Sequence, residues 1–178
     1  CKKSVQSIIK DLNSSERPVI LAGNGVRLAN AIPEFKELCE ALQIPVLLTW
    51  KGIDYLEETH PLFVGRPGGV GQRGANFSQQ NSDFLLSLGA RLDHGQIRKL
   101  EMDIKYPVVA DCKVFIEELL KHKDLINPAP EAWLSQCKKW QRDYPVVLPE
   151  HYAEEGCINN YAFVDVLSNV LPEDALIV

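Results

Sequence analysis

The sequence predicts an α/β fold: an open parallel sheet with helices on both faces. Three observations carry this. Short, continuously apolar runs are bounded by Gly and Pro, as strands covered on both faces would be. Stretches with apolar residues at a spacing near 3.6 alternate with them. Glycine-bearing turns follow the strands directly, and strand-helix alternation implies right-handed crossovers in one sheet.

Taken in order, residues 4–13 read as a short helix with Val5, Ile8, Ile9 and Leu12 on one stripe. Pro18-Val19-Ile20-Leu21-Ala22 is the first strand and runs straight into Gly23-Asn24-Gly25. Residues 29–43 form a helix with Ile32, Phe35, Leu38 and Leu42 inward and Pro33 near its start, where a missing N–H is tolerated. Pro45-Val46-Leu47-Leu48-Thr49-Trp50 is a second strand, closed by Thr49 and the Lys51-Gly52 turn. Residues 60–71, rich in Gly and Pro, read as a loop, and 75–80 as helix. Phe84-Leu85-Leu86-Ser87-Leu88-Gly89-Ala90 is a third strand and Pro107-Val108-Val109-Ala110-Asp111 a fourth. Residues 113–122 follow as a helix with Val114, Phe115, Leu119 and Leu120 inward. Beyond Asn127-Pro128-Ala129-Pro130, Trp133, Cys137 and Trp140 share one helix face, which suits a docking helix. Residues 145–155 read as a linker, and 161–171 as a helix with Phe163, Leu167 and Val170 on one side. The expected division is 1–125, 126–155 and 156–178.

Composition narrows the function. A chain of 178 residues that is 46% hydrophobic and 24% charged builds a real core, and no apolar run approaches a membrane span. With 19 basic against 24 acidic residues the net charge is −5, which offers no field for a nucleic acid. The five cysteines, at 1, 39, 112, 137 and 157, form no C-x-x-C pair and no disulfide framework, which points to a reduced, cytoplasmic compartment. The start, Cys1-Lys2-Lys3-Ser4, has neither Met nor a signal-peptide core, and the end stops where a buried strand would begin, so a piece of a longer chain is expected.

In such a sheet ligands settle at the carboxyl ends of the strands, and Gly23-Asn24-Gly25, Thr49, 65–71 and Gly89-Ala90-Arg91 all stand there. Glycine admits a diphosphate close to the backbone, yet Gly23-Asn24-Gly25-Val26-Arg27-Leu28 lacks the third glycine of G-x-G-x-x-G, and a tight turn for packing alone reads equally well. Arg91 and Asp93 suit a phosphate and a ribose hydroxyl, or a surface ion pair. His60, His94, His122 and His151 lack metal-ligand spacing, and Cys39, Cys112 and Cys137 read as buried small hydrophobes. No nucleophile, base or metal set stands out, so no catalytic residue is named.

Read together, residues 17–25, the strand ending at Thr49 with Lys51-Gly52, His60-Pro61-Leu62-Phe63-Val64-Gly65 and Ser87-Leu88-Gly89-Ala90-Arg91-Leu92-Asp93 resemble the central domain of thiamine diphosphate-dependent enzymes, in particular the large catalytic subunit of acetolactate synthase. The resemblance implies a Rossmann-like, DHS-like NAD/FAD-binding fold lying between two flanking domains of the same chain, in a homo-oligomer acting on small 2-oxo acids. It implies that thiamine diphosphate and Mg are held by the other domains, and that 156–178 opens the following diphosphate-binding domain. In acetolactate synthases the central domain also binds FAD; the corresponding positions here would be Ala22, Gly23, Asn24, Thr49, Trp50, Pro67, Gly68, Gly69, Gly89, Ala90, Arg91, Asp93, Asp111 and Cys112.

Two departures bear on that implication. Gly95 stands where the synthases place a basic residue. The family also has a further loop and strand, with an apolar-Asp-Ile-Asp segment, before the Pro107 run, whereas here Gln96-Ile97-Arg98 leads directly to Leu100-Glu101-Met102. Either that step is deleted or about 20 to 30 residues, the size of one βαβ step, are missing from the chain. The second is favoured, because deleting an interior strand would leave its neighbours' backbone groups unpaired. The alternatives are a scaffold domain with no bound nucleotide and a free-standing NAD-binding domain, the latter disfavoured by Thr49 where an acid would close the second strand.

Overall fold

The computed structural model describes residues 2–92, 104–153, 156–172 and 174–177. They fall into two units, 1–144 and 145–178.

The first unit is built on a four-stranded parallel sheet in the order β3-β2-β1-β4, with β1 (Pro18–Ala22), β2 (Val46–Leu48), β3 (Phe63–Gly65) and β4 (Phe84–Leu88). Side chains alternate across it. Ile20, Ala22, Val46, Leu48, Phe63, Leu86 and Leu88 enter one apolar cluster with α1 (Lys2–Asn13), α3 (Ile32–Leu42) and α5 (Cys112–Leu120), while a short α2 (Gly25–Leu28) adds Val26. Val19, Leu21, Leu47 and Val64 enter a second, with α4 (Arg73–Gln80) and α6 (Glu131–Asp143). Every residue of β1, β2 and β3 is buried, as the unbroken apolar runs require of strands covered on both faces.

The stripe of α1 is buried as the spacing predicts: Val5, Ile8, Ile9 and Leu12 all lie in the core. The helix expected over 29–43 is α3, which starts only at Ile32, after Asn30 takes a left-handed φ of 50° that separates it from the short α2, and which ends before Gln43, also left-handed at 51°. Trp133 and Cys137 are buried, with the Trp133 indole N–H donating to the Pro18 carbonyl at 2.9 Å. In α5 the inward set is Phe115, Ile116 and Leu119, and Val114 points outward.

Two strand assignments differ from expectation. Phe63–Gly65 lies in the segment expected to be a loop, yet pairs with β2 through a register shift; Leu62 and Val64 are buried beside it. Pro107-Val108-Val109-Ala110-Asp111 forms no strand, since among the described residues no neighbouring strand bonds to it. Parallel pairing is a non-local property, and the apolar run alone does not supply a partner.

The second unit holds α7 (Pro149–Tyr152) and α8 (Asn160–Val170). The Asn159 side chain caps α8 by accepting from the Tyr161 N–H at 2.9 Å, and Tyr161 stacks on His151 with ring centres 4.9 Å apart. Ala162, not Phe163 or Val170, is the buried residue of α8; the other two are exposed, and residues 174–177 form no strand. No helix among the described residues is long and apolar enough to cross a membrane.

Candidate functional site

The β1 and β4 ends meet at the carboxyl edge of the sheet. The Gly23 N–H donates to the Leu88 carbonyl and the Gly25 N–H to the Gly89 carbonyl, each at 2.9 Å. A Cβ on Gly23 would lie 2.7 Å from the Ala90 Cα, and one on Gly25 2.6 Å from the Gly89 Cα. Gly89 itself has φ +61°, a conformation that a side chain rarely adopts. The glycines of the first turn are thus occupied by the fourth strand's backbone, and the packing reading of that turn accounts for them without a ligand.

Behind the corner stands Tyr55, fully buried. Its hydroxyl donates to the Gly23 carbonyl and accepts from the Arg27 N–H, both at 3.1 Å, and its ring meets Phe35 edge-on. Burial pushes the phenol's pKa up, so it stays a donor. Arg27 hydrogen-bonds to Asp54, which raises its own pKa and lowers that of the carboxylate, and its guanidinium lies 5.3 Å from the Tyr55 ring centre. The Arg27 charge behind the corner is therefore already paired.

Thr49 closes β2, with its N–H donating to the Ala22 carbonyl at 2.9 Å. Its hydroxyl and the half-buried Asn24 carboxamide make no hydrogen bond among the described residues, and Trp50 beside it is 64% exposed. Ala22, Gly23, Asn24, Thr49, Gly89 and Ala90 are thus brought to one end of three adjacent strands. Gly89, Ala90 and Cys112 also line one groove. The Pro67-Gly68-Gly69 turn follows β3, two strands from β1, and is held by α4: the Asn76 amide bonds the Gly68 backbone both ways, at 2.8 and 3.0 Å, and the Gln72 side chain accepts from the Arg66 N–H at 2.8 Å. Asp111 caps α5, accepting from the Lys113 and Val114 N–H groups at 2.8 and 3.2 Å. Arg91 is exposed, and Asp93, like Gly95, lies outside the described residues.

Tyr55, Gln72 and Asn76 had no part in the sequence reading. The only signal was placement: Asn and Gln just after a glycine-rich loop, and one Tyr between two apolar segments. Cys39 and Cys137 behave as packing groups, fully buried in the two apolar clusters. Burial pushes the Cys39 thiol up to about 12 and that of Cys137 to about 11, and raises Cys112 as well, with Asp111 adding to the effect. None is poised as a nucleophile.

A parallel sheet covered by helices, with glycine corners at its carboxyl edge, defines a Rossmann-like α/β class of domain. Residues 5–105, more than half of the chain, match the family model described as thiamine pyrophosphate enzyme, central domain, and the chain belongs to that family. It is similar to a probable acetolactate synthase large subunit of Methanococcus aeolicus, 33% identical over 146 residues that cover 70% of this chain and 24% of the relative. The acetolactate synthase large subunit of Cyanidium caldarium is 28% identical over 173 residues, 83% of this chain and 30% of the relative. The isozyme 1 large subunit of Escherichia coli (strain K12) is 27% identical over 197 residues, 99% of this chain and 34% of the relative. The chain spans about a quarter to a third of the length of these relatives.

Proposed function

We propose that this chain is the architectural middle of an acetolactate synthase-like enzyme that decarboxylates a 2-oxo acid and joins the resulting carbanion equivalent to a second carbonyl. The observation that carries the reading is the family match over 5–105, which coincides with the sheet and its glycine corner. When bound, thiamine diphosphate supplies the electron sink for such chemistry, and it belongs, with Mg and the activating carboxylate, to flanking domains. This chain's part is positional: residues 1–125 form the central domain, 126–155 its docking helix and linker, and 156–178 the opening of a diphosphate-binding domain. The seating of α6 on α4 and β3 supports the docking role. The parent is a homo-oligomer of the cytoplasm in this reading. The test is turnover of a 2-oxo acid by the full-length parent with and without thiamine diphosphate; thiamine-independent turnover would end it.

Within that role, the carboxyl end of the sheet is a nucleotide crevice, with FAD as its occupant. Support comes from the Asn24 amide and Thr49 hydroxyl, polar groups without protein partners among the described residues, and from the exposed Trp50 indole, which offers a face for a ring. Arg91, and Asp93 beyond it, would meet the phosphates and a ribose. The glycines give less support, since their space is taken by backbone, and Asp111 already places a carboxylate at the start of α5. That occupancy favours the second reading, a scaffold with no bound nucleotide. Titrating the chain with FAD and following flavin fluorescence separates them: the crevice reading expects saturable quenching that Trp50→Ala and Thr49→Val each weaken, and the scaffold reading expects none.

A further inference from the structure

The turn Arg66-Pro67-Gly68-Gly69-Val70-Gly71 leaves β3 and folds back on the start of α4. The Arg66 N–H donates to the Gln72 side chain and the Gly68 N–H to the Asn76 side chain, each at 2.8 Å, and the Gln72 N–H donates to the Arg66 carbonyl at 2.8 Å. The turn thus continues β3 at its beginning and is bonded to α4 at its end. Where it stands at the carboxyl edge of the sheet is set by where those two elements stand.

Both elements are gripped by α6, and both grips fall on main chain. The Leu62 carbonyl accepts from the Val46 N–H of β2, so that of Phe63 faces away from β2, and there the Lys138 ammonium donates to it at 2.7 Å. The same ammonium donates to the His60 carbonyl at 3.0 Å and to the Gln141 side chain at 3.2 Å, which uses all three of its N–H groups. On α4 the contact is a notch. A Cβ on Gly74 would lie 2.6 Å from the Trp140 carbonyl oxygen, so the two helix backbones touch without a side chain between them. Phe77 of α4 extends the contact, with its ring centre 5.9 Å from that of Trp140 and 5.1 Å from that of Tyr144. Contacts from helix to backbone leave little side-chain slack to absorb a shift, and close-packed interiors transmit strain.

We propose that α6 is a clamp that positions the Pro67-Gly68-Gly69 turn: it holds the strand that enters the turn through Lys138 and the helix that leaves it through the Gly74 notch. Lys138 and Gly74 are positioning residues for the carboxyl edge, although neither belongs to the turn. A shift of α6, the last helix of the first unit, is carried to that edge through both contacts at once. The clamp stands whether or not the edge takes a nucleotide, so a failed FAD titration would leave it untouched.

The test follows amide exchange by NMR in the complete 178-residue chain. Gly74→Ala drives a Cβ into the Trp140 carbonyl, and Lys138→Met keeps the aliphatic stem but removes the ammonium. In each variant the Arg66 and Gly68 amides should exchange at least about fivefold faster than in the parent, measured relative to the Gly23 amide, which donates to Leu88 on β4 at the other side of the sheet. The direction at Gly74 separates a clamp from a local effect. Alanine is the better helix former, so α4 acting by itself would tighten and the two amides would slow. Where Gly74→Ala gives no cooperative melt, Lys138→Met decides alone. The proposal falls if a folded variant leaves the two amides at the parent's ratio to Gly23 or slows them, or if Gly23 accelerates as much as they do. It falls equally if both amides already exchange at the open-chain rate in the parent, or if neither variant folds, since α6 would then serve the stability of the whole unit.

Discussion

The Tyr55 hydroxyl donates to the Gly23 carbonyl and accepts from the Arg27 N–H, so one buried phenol fixes both sides of the turn that leaves β1. It joins the segment after β2 to the corner at which β1 and β4 meet. Without it, the Gly23 carbonyl would keep only the Val26 N–H, and the Arg27 N–H would lose this acceptor.

Tyr55→Phe keeps the ring against Phe35 and removes only the oxygen. The expected cost is about 1–3 kcal/mol, read as a lower urea midpoint with an unchanged slope. An unaltered midpoint would mean that water replaces the phenol and that the corner is wetter than its burial indicates.

At Gly89 the backbone and the space agree. Its φ is +61° and a Cβ would stand 2.7 Å from the Gly25 Cα, so Gly89→Ala adds left-handed strain to a backbone collision. A loss of at least about 2 kcal/mol is expected in denaturant unfolding. Full tolerance would show that the β1 and β4 ends are not packed together as described.

Asp83 gives the acid limb of stability. Burial raises its pKa, but hydrogen bonds from the Ser15 hydroxyl and the Arg17 and Glu16 N–H groups outweigh this and hold the carboxylate below its ordinary value. A depressed folded pKa stabilises above the unfolded value, near 3.9, and the benefit is lost as pH falls through the folded one. Asp83→Asn should therefore be less stable than the parent at pH 7, with the gap closing below about pH 4. Parallel pH–stability curves for the two proteins would contradict this.

Thiol chemistry should follow exposure. Cys157 is exposed, whereas Cys39 and Cys137 are buried with their pKa values raised. In the native protein at pH 8 a disulfide reagent should modify Cys157 readily and reach Cys39 and Cys137 only on unfolding, as mass mapping of the labelled peptides would read.

The fold class follows from local pattern because burial on both faces leaves a direct mark: Pro18–Ala22 and Val46–Leu48 carry no polar residue, and the α1 stripe repeats near 3.6. The carboxyl edge was legible for the same reason, since glycine turns follow the strands. What only the tertiary structure decided is which extended segments are strands and what the glycines serve. Phe63–Gly65 became a strand by lying beside β2, and 107–111 did not because, among the described residues, no strand stands next to it. Gly23 and Gly25 are small because the β4 backbone occupies the space, a contact across more than sixty residues of chain. A hydrogen bond between strands, or a close approach between turns, belongs to two distant stretches at once, and the residues of either stretch alone do not encode it.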